Sequence, residues 1–407
     1  MIRVMKGVLL LTVLAGLGWL SPSLMGQAPA DNKSADGASW TPSKTPWGEP
    51  NLQGIWDTRT GVPMERPAEF GTKEFMTEEE AMDRRRRGLD AGASGEDEEE
   101  GEAESLTKSD QRRYANADKP DDGRPGYRIA GAEYNSFWSA DPTRPKMSLR
   151  TSRVVDPPDG RLPPMTEAAL KRWEARHLAR RGRSQADDWR DRNVMERCLM
   201  RPGLPMGEIV GTNQFSIVQV MQSPGHVTIM MPYGYPRIIR VGKAAHPGKA
   251  IRHWNGDAVG RWEGNALVVE TTNFIAKQDG GEVLTVRRPW FYYPGSGETL
   301  KMVERFTPVD ANTIEYRYTV DDPGVYVRPW TAVVDFVRDT WSAEGKQDRI
   351  IEYTCHEHNY GMTNAIKGAR ADRPQALDEE RREEKVRAKE LANRWEQTKK
   401  WLAANGK

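Results

Sequence analysis

Between residues 214 and 360 this chain reads as β-strand after β-strand, divided by tight turns and without a helical pattern between them. Phe215 to Gln222 and Val227 to Met231 flank Ser223-Pro224-Gly225, and Arg261-Trp262 and Ala266 to Phe274 flank Glu263-Gly264-Asn265. Leu300 to Thr307 and Thr313 to Val320 flank Val309-Asp310-Ala311-Asn312, while Arg237 to Val241, Thr331 to Arg338 and Arg349 to Glu357 complete the set. Short Gly-, Pro- and Asn-bearing connections imply hairpins, and about eight strands joined this way must stack as two sheets or curl into a barrel. The expected fold is therefore mainly β: an antiparallel up-and-down barrel or sandwich of about eight or more strands. The short piece around Trp56 is available to supply a missing edge.

The flanking chain is divided by composition. Residues 1–30 have the layout of a cleavable secretory signal: Arg3 and Lys6, an apolar run from Gly7 to Leu20, then Ala28-Pro29-Ala30. The expected location is thus periplasmic or extracellular. Residues 31–50 form a Ser-, Thr-, Pro- and Gly-rich lead-in, and residues 51–75 a strand and loop joining the β domain. Residues 76–119 open with Thr77 and Glu80 at capping-box spacing and continue into a solvated run of charge, Arg84 to Arg87 and Glu96 to Glu104. Residues 120–205 hold an irregular segment with one helix started by Thr166, with Leu170, Trp173 and His177 at helical spacing. Residues 206–362 are the β core, and residues 371–405 a long charged helix with Leu391, Trp395 and Leu402 on a narrow stripe. That helix either covers the domain or docks a protein partner.

Sixty basic against 59 acidic residues leave a net charge of +1, which argues against nucleic acid or a charged membrane surface as partner. No second apolar run is long enough to span a bilayer. Two cysteines in an oxidising compartment suggest one disulfide, Cys198 to Cys355. Two separately buried thiols, or Cys355 as a metal thiolate, are the alternatives.

Alternation along strands sorts the polar residues. Ile314, Tyr316, Tyr318 and Val320 share an inward face, and Glu315, Arg317 and Thr319 face out. In the preceding strand Leu300, Met302 and Phe306 define the inward face, and Glu304 sits among them. In the last strand Ile351, Tyr353 and Cys355 carry Glu357 inward, leaving His356 and His358 on the opposite face. An inward carboxylate must raise its pKa, find a cation or face a wet pocket. Glu357, with His356 or Glu304, is thus a candidate acid–base pair; the alternative is a strand end or bulge that returns the carboxylate to solvent. His356 and His358 could chelate zinc or copper with His246 or His253, but their outward parity favours a surface role, and no cofactor is expected. Trp290, Tyr292, Tyr293, Arg328 and Trp330 stand in loops at strand ends, where they can stack on a ligand at a barrel mouth or cap the core.

Four segments resemble an uncharacterised family of exported bacterial proteins. They are Thr45-Pro46-Trp47-Gly48-Glu49-Pro50-Asn51-Leu52-Gln53-Gly54-Ile55-Trp56; Asp156-Pro157-Pro158-Asp159-Gly160-Arg161; Gly260-Arg261-Trp262-Glu263-Gly264 running into Leu267 to Phe274; and Cys355-His356-Glu357 with Asn359-Tyr360-Gly361. The resemblance implies export but no activity. Relatives carry Gly at the position of His358, which counts against a two-histidine metal site. The Gly-x-Trp pieces are also similar to those of lipocalin-type (calycin) barrels, which bears on fold alone. Three functions remain open: a β-barrel that binds a small amphipathic or aromatic molecule; an acid–base lyase or hydrolase acting on a carbohydrate-like substrate; and a structural envelope protein.

Overall fold

Ten strands and three α-helices follow from these patterns in the computed structural model, which describes residues 40–58, 62–86, 148–179, 182, 187, 217–231, 236–276, 298–338, 366–367, 370–371 and 373–405. In chain order they are β1 (Gly54–Asp57), α1 (Glu78–Arg86), β2 (Val154–Asp156), α2 (Glu167–Ala179), β3 (Ile217–Ser223), β4 (His226–Met230), β5 (Arg237–Val241), β6 (Asp257–Glu263), β7 (Ala266–Thr272), β8 (Lys301–Asp310), β9 (Thr313–Asp321), β10 (Trp330–Arg338) and α3 (Arg373–Ala404).

Nine of the strands close on themselves in the order β1-β3-β4-β5-β6-β7-β8-β9-β10, and β10 returns to β1 through Trp56↔Arg338 and Asp57↔Val337. The strand at Trp56 does supply the closing edge. The other half of that edge of β10 is occupied by β2, through Thr331↔Asp156 and Ala332↔Val154, so the barrel leaves little unpaired backbone there.

One seam departs from an up-and-down meander. β5 pairs with β6 in parallel, Ile239 opposite Ala258. A parallel pair cannot be joined by a hairpin, and the chain from Gly242 to Gly256 supplies the crossover. Its far end is tied down by backbone bonds between His253 and Asn273 (3.0 Å) and between Ile275 and His253 (2.9 Å).

The interior follows strand parity. Ile314, Tyr316, Tyr318 and Val320 of β9 are buried, as are Met302, Glu304 and Phe306 of β8 and Trp330, Ala332, Val334 and Phe336 of β10. The lead-in to β1 is held by an amide clamp. Gln222 Oε1 accepts from the Leu52 N–H at 2.6 Å while its Nε2 donates to the Pro50 carbonyl at 3.1 Å. Trp56 then enters the core, its Nε1–H bonded to the Leu52 carbonyl at 3.0 Å and its ring covered by the Arg338 guanidinium at 4.4 Å. Gly54 is needed here for two reasons. Its φ is +147°, and a Cβ would stand 2.5 Å from Arg338 Nη1.

The helices start where their caps predict. Thr77 Oγ1 accepts from the Glu80 N–H at 3.2 Å, and Glu80 Oε2 accepts from the Thr77 N–H at 2.7 Å, a reciprocal capping box. Thr166 Oγ1 accepts from the Ala169 N–H at 3.2 Å at the start of α2. α3 lies against α2: Leu391 is buried, Arg394 sits 5.6 Å over the Trp173 ring, and the Thr398 hydroxyl donates to the Met165 carbonyl at 2.7 Å. Leu391 and Trp395 of its apolar stripe therefore pack on the chain's own core. No helix among the described residues is long and apolar enough to cross a membrane.

Candidate functional site

Three neighbouring strands, β7 to β9, and β5, which is separated from β7 by β6, bring polar side chains together in this apolar interior. Glu304 on β8 lies opposite Val269 of β7 and Tyr318 of β9. Thr271 follows two places after Val269, on the same face, and Tyr316 precedes Tyr318 by two. Arg237, the first residue of β5, reaches in from the other side of β6. Glu304 is 0 % exposed and Arg237 2 %.

Every member of this quartet is bonded to Glu304. Arg237 Nη1 donates to Oε1 at 2.7 Å and Nη2 donates to Oε2, an end-on fork that matches the carboxylate. The Thr271 hydroxyl donates to Oε2 at 3.0 Å and accepts from Arg237 Nη2 at 2.8 Å. The Tyr316 hydroxyl donates to Oε1 at 2.8 Å. Both carboxylate oxygens are thus engaged twice, and the charges cancel in place.

The electrostatics follow from burial. For Arg237 burial favours the neutral form, but the Glu304 charge and hydrogen bonds outweigh it and hold the guanidinium pKa above its ordinary value. Tyr316 is pushed well above the usual phenol value, first by burial and then by the adjacent Glu304 charge. Hydrogen-bonded Tyr316 is therefore a neutral phenol across the physiological range.

Aromatic rings pack around the Tyr316 corner of the quartet. Tyr316 packs against Phe306 at 4.8 Å, Phe336 at 5.0 Å and Tyr318 at 5.2 Å between centroids. Trp330 meets Tyr318 edge-on at 5.8 Å. Arg237 Nε on β5, Trp262 Nε1 on β6 and Trp330 Nε1 on β10 are each buried with no hydrogen-bond partner.

The residues singled out in the sequence are distributed unevenly. Glu304 faces inward as parity requires, but its oxygens are committed to Arg237, Thr271 and Tyr316. Trp330 is 1 % exposed at the start of β10 and packs into the wall. Arg328 lies outside the quartet, paired with Asp156 at 2.8 Å on the surface. Glu357, His356, His358, Cys198, Cys355, Trp290, Tyr292 and Tyr293 lie outside the described residues, as does the last strand expected at 349–357.

Arg237 and Thr271 are the site residues that sequence reading missed. For Thr271 the signal is present: Leu267, Val269 and Thr271 alternate on one face. For Arg237 it is ambiguous, because β5 carries Ile238 on one face and Ile239 on the other. Ile239 is buried and Ile238 is 59 % exposed, which only the folded chain decides.

A second polar cluster sits on the outer wall. Asp257 accepts from Arg240 Nη2 at 2.7 Å and meets His246 Nδ1 at 2.6 Å, while His246 Nε2 is 3.6 Å from Glu270, itself paired with Lys301 at 2.7 Å. His246 lies in the crossover between β5 and β6, so this cluster pins the strap across the parallel seam. Among the described residues no group of three or more His, Cys, Asp or Glu is arranged to hold a metal ion.

The chain matches no protein-family model, no curated protein and no solved structure.

Proposed function

We propose that this chain is an exported barrel protein that binds a small amphipathic or aromatic molecule inside the barrel. The observation that carries the reading is a closed barrel whose interior holds a buried polar quartet, aromatic rings packed at its Tyr316 corner, and an unbonded donor, Arg237 Nε. A buried donor without a partner costs about 1–3 kcal/mol. Such a donor is met by an ordered water or by a bound molecule, and a bound molecule gains orientation from it. Export is supported by the signal-like residues 1–30.

An acid–base enzyme is the weaker reading. A proton carrier needs a carboxylate oxygen free to exchange with substrate, and both oxygens of Glu304 are held by three partners. Glu357 and His356 would have to carry that chemistry. In that case Glu357→Gln abolishes turnover and leaves thermal stability nearly intact.

The test is a thermal-shift and calorimetric screen of the mature protein against sugars, aromatic amphiphiles, alkyl amphiphiles and divalent metals. Saturable stabilisation by an amphiphile, one to one, is the expected result. Stabilisation by sugars with slow breakdown of the sugar would favour the enzyme instead.

A further inference from the structure

We propose that the outer wall of the barrel over β1, β3, β4 and β5 is an interface between two copies of this chain. The outer surface is divided into an ionic wall and a neutral one, and the neutral one is its own complement.

On β6 to β8 the outward positions are laced with charge. Arg261 and Arg305 share Glu263, each at 2.7 Å, and Lys301 meets Glu270 at 2.7 Å. On the other wall two rows of outward side chains run in register with no ionisable group among them. Ile55, Gln219 and Met230 stand opposite one another on β1, β3 and β4, and Met221, Thr228 and Ile238 on β3, β4 and β5. Alternation sends their neighbours Val220, Ile229 and Ile239 into the core, so these six side chains point to solvent. Met221 is 37 % exposed and Ile238 59 %, one on each side of Thr228. The face ends at the row of Ser223, His226 and Arg240 on one side and at buried Asp57 and Ile217 on the other.

The chemistry of this face selects its occupant. A charged partner finds no counter-charge on it. A lipid surface is held by basic and aromatic interfacial side chains, and the six include neither. The Gln219 amide and the Thr228 hydroxyl can each donate and accept, and neither makes a hydrogen bond among the described residues. A fitting surface is therefore uncharged and mostly apolar, with groups that do both. The same face of a second molecule meets these terms. With a two-fold axis through Thr228, Thr228 meets Thr228 and the flanking Met221 and Ile238 pack on their counterparts. A net charge of +1 adds no long-range repulsion between copies. Four strands about 4.8 Å apart and two rows about 7 Å apart cover roughly a few hundred Å², against about 800 Å² per partner in a standard interface. The dimer is accordingly weak and exchanges with monomer.

The experiment is sedimentation velocity on the mature protein from about 5 to about 500 µM, the range in which a weak dimer forms. The expected result is a sedimentation coefficient that rises with concentration toward the dimer value. Thr228→Lys and Thr228→Glu each set like charges together at the axis and weaken association at least about tenfold. An equimolar mixture of the two, Lys facing Glu, restores the dimer. Val303→Lys, on the outward face of β8, leaves association unchanged. Methyl resonances of Met221 and Ile238 in the unaltered protein shift with concentration, a readout that needs no variant. A single monomeric boundary with unmoved methyls over the whole range would overturn the proposal. So would a dimer that neither Thr228 variant disturbs, or one that Val303→Lys disturbs equally. Monomer that instead binds phosphatidylcholine–phosphatidylglycerol vesicles through the Met221 and Ile238 methyls would assign the face to a membrane and overturn it as well.

Discussion

Removing the Glu304 charge while keeping its shape is the most informative perturbation of the fold. Glu304→Gln leaves a side-chain oxygen for Arg237 or Tyr316 but replaces the other oxygen with an amide nitrogen that donates toward Arg237 Nη2, already a donor. The Arg237 charge then remains 2 % exposed with no countercharge in the quartet. Breaking a buried ion pair from one side costs about 3–5 kcal/mol. Replacing both partners with hydrocarbon, Arg237→Met with Glu304→Leu, removes the stranded charge. It still leaves the hydroxyls of Thr271 and Tyr316 without this acceptor, at about 1–3 kcal/mol each. Adding Thr271→Val and Tyr316→Phe should return most of the remaining loss. The assay is urea unfolding followed by tryptophan fluorescence, for which buried Trp56 and Trp330 are suitable reporters. A loss below about 1 kcal/mol for Glu304→Gln, the scale of an exposed ion pair, would refute a sealed quartet and with it a closed interior.

Three further outcomes follow from the same geometry. Tyr316 has a folded-state pKa raised above the unfolded phenol value of about 10. The folded chain therefore holds this proton more tightly, and the contribution is intact below that pH and lost as pH rises through the folded value. Ultraviolet titration should show a phenol that ionises only with alkaline unfolding, and Tyr316→Phe should remove that step; a Tyr316 that titrates at about 10 in the folded state would contradict its burial. Gly54→Ala places a Cβ 2.5 Å from Arg338 Nη1 at a φ of +147°, so a loss of about 1–3 kcal/mol is expected in the same unfolding assay, and an unchanged midpoint would contradict the Trp56–Arg338 closure. The proposed pairing of Cys198 with Cys355 predicts a single linked peptide by mass spectrometry of the non-reduced protein, and two free thiols there would refute it.

Much of the barrel was legible because its strands obey simple alternation. In Thr313–Asp321 one face is Ile, Tyr, Tyr and Val, and the same rule turned Glu304 inward from the strand before it. The capping spacings of Thr77 and Thr166 marked two helix starts through purely local bonds. Closure was legible only as a free strand at Trp56 available for an edge, since its partners β3 and β10 are both distant in sequence. The parallel seam leaves a trace, because the connection from Gly242 to Gly256 is too long for a hairpin. What it does not show is on which side the chain returns.

The candidate site was only half legible for a physical reason. A lone inward carboxylate announces that it needs a partner but not which one. Arg237 begins a strand with isoleucine on both faces, so alternation leaves its direction open until the barrel closes. The histidine at 246 illustrates the converse. As a residue type it invites a metal reading, yet its neighbours Asp257 and Glu270 are already matched by Arg240 and Lys301. The Pro-rich turn from Asp156 to Gly160 is similarly explained by structure, since buried Arg66 donates to the Pro158 carbonyl at 3.1 Å and to Thr151 Oγ1 at 3.0 Å.

The central proposal is that the enclosed wall takes up a small molecule beside the Arg237–Glu304 pair. Native mass spectrometry of the protein recovered from its producing cells, before and after extraction with organic solvent, addresses this directly. A one-to-one, solvent-extractable adduct that rebinds on mixing, and that Glu304→Gln no longer retains, is the expected result. A mass equal to the bare polypeptide under both conditions, with no adduct formed on adding aromatic or alkyl amphiphiles, would contradict it.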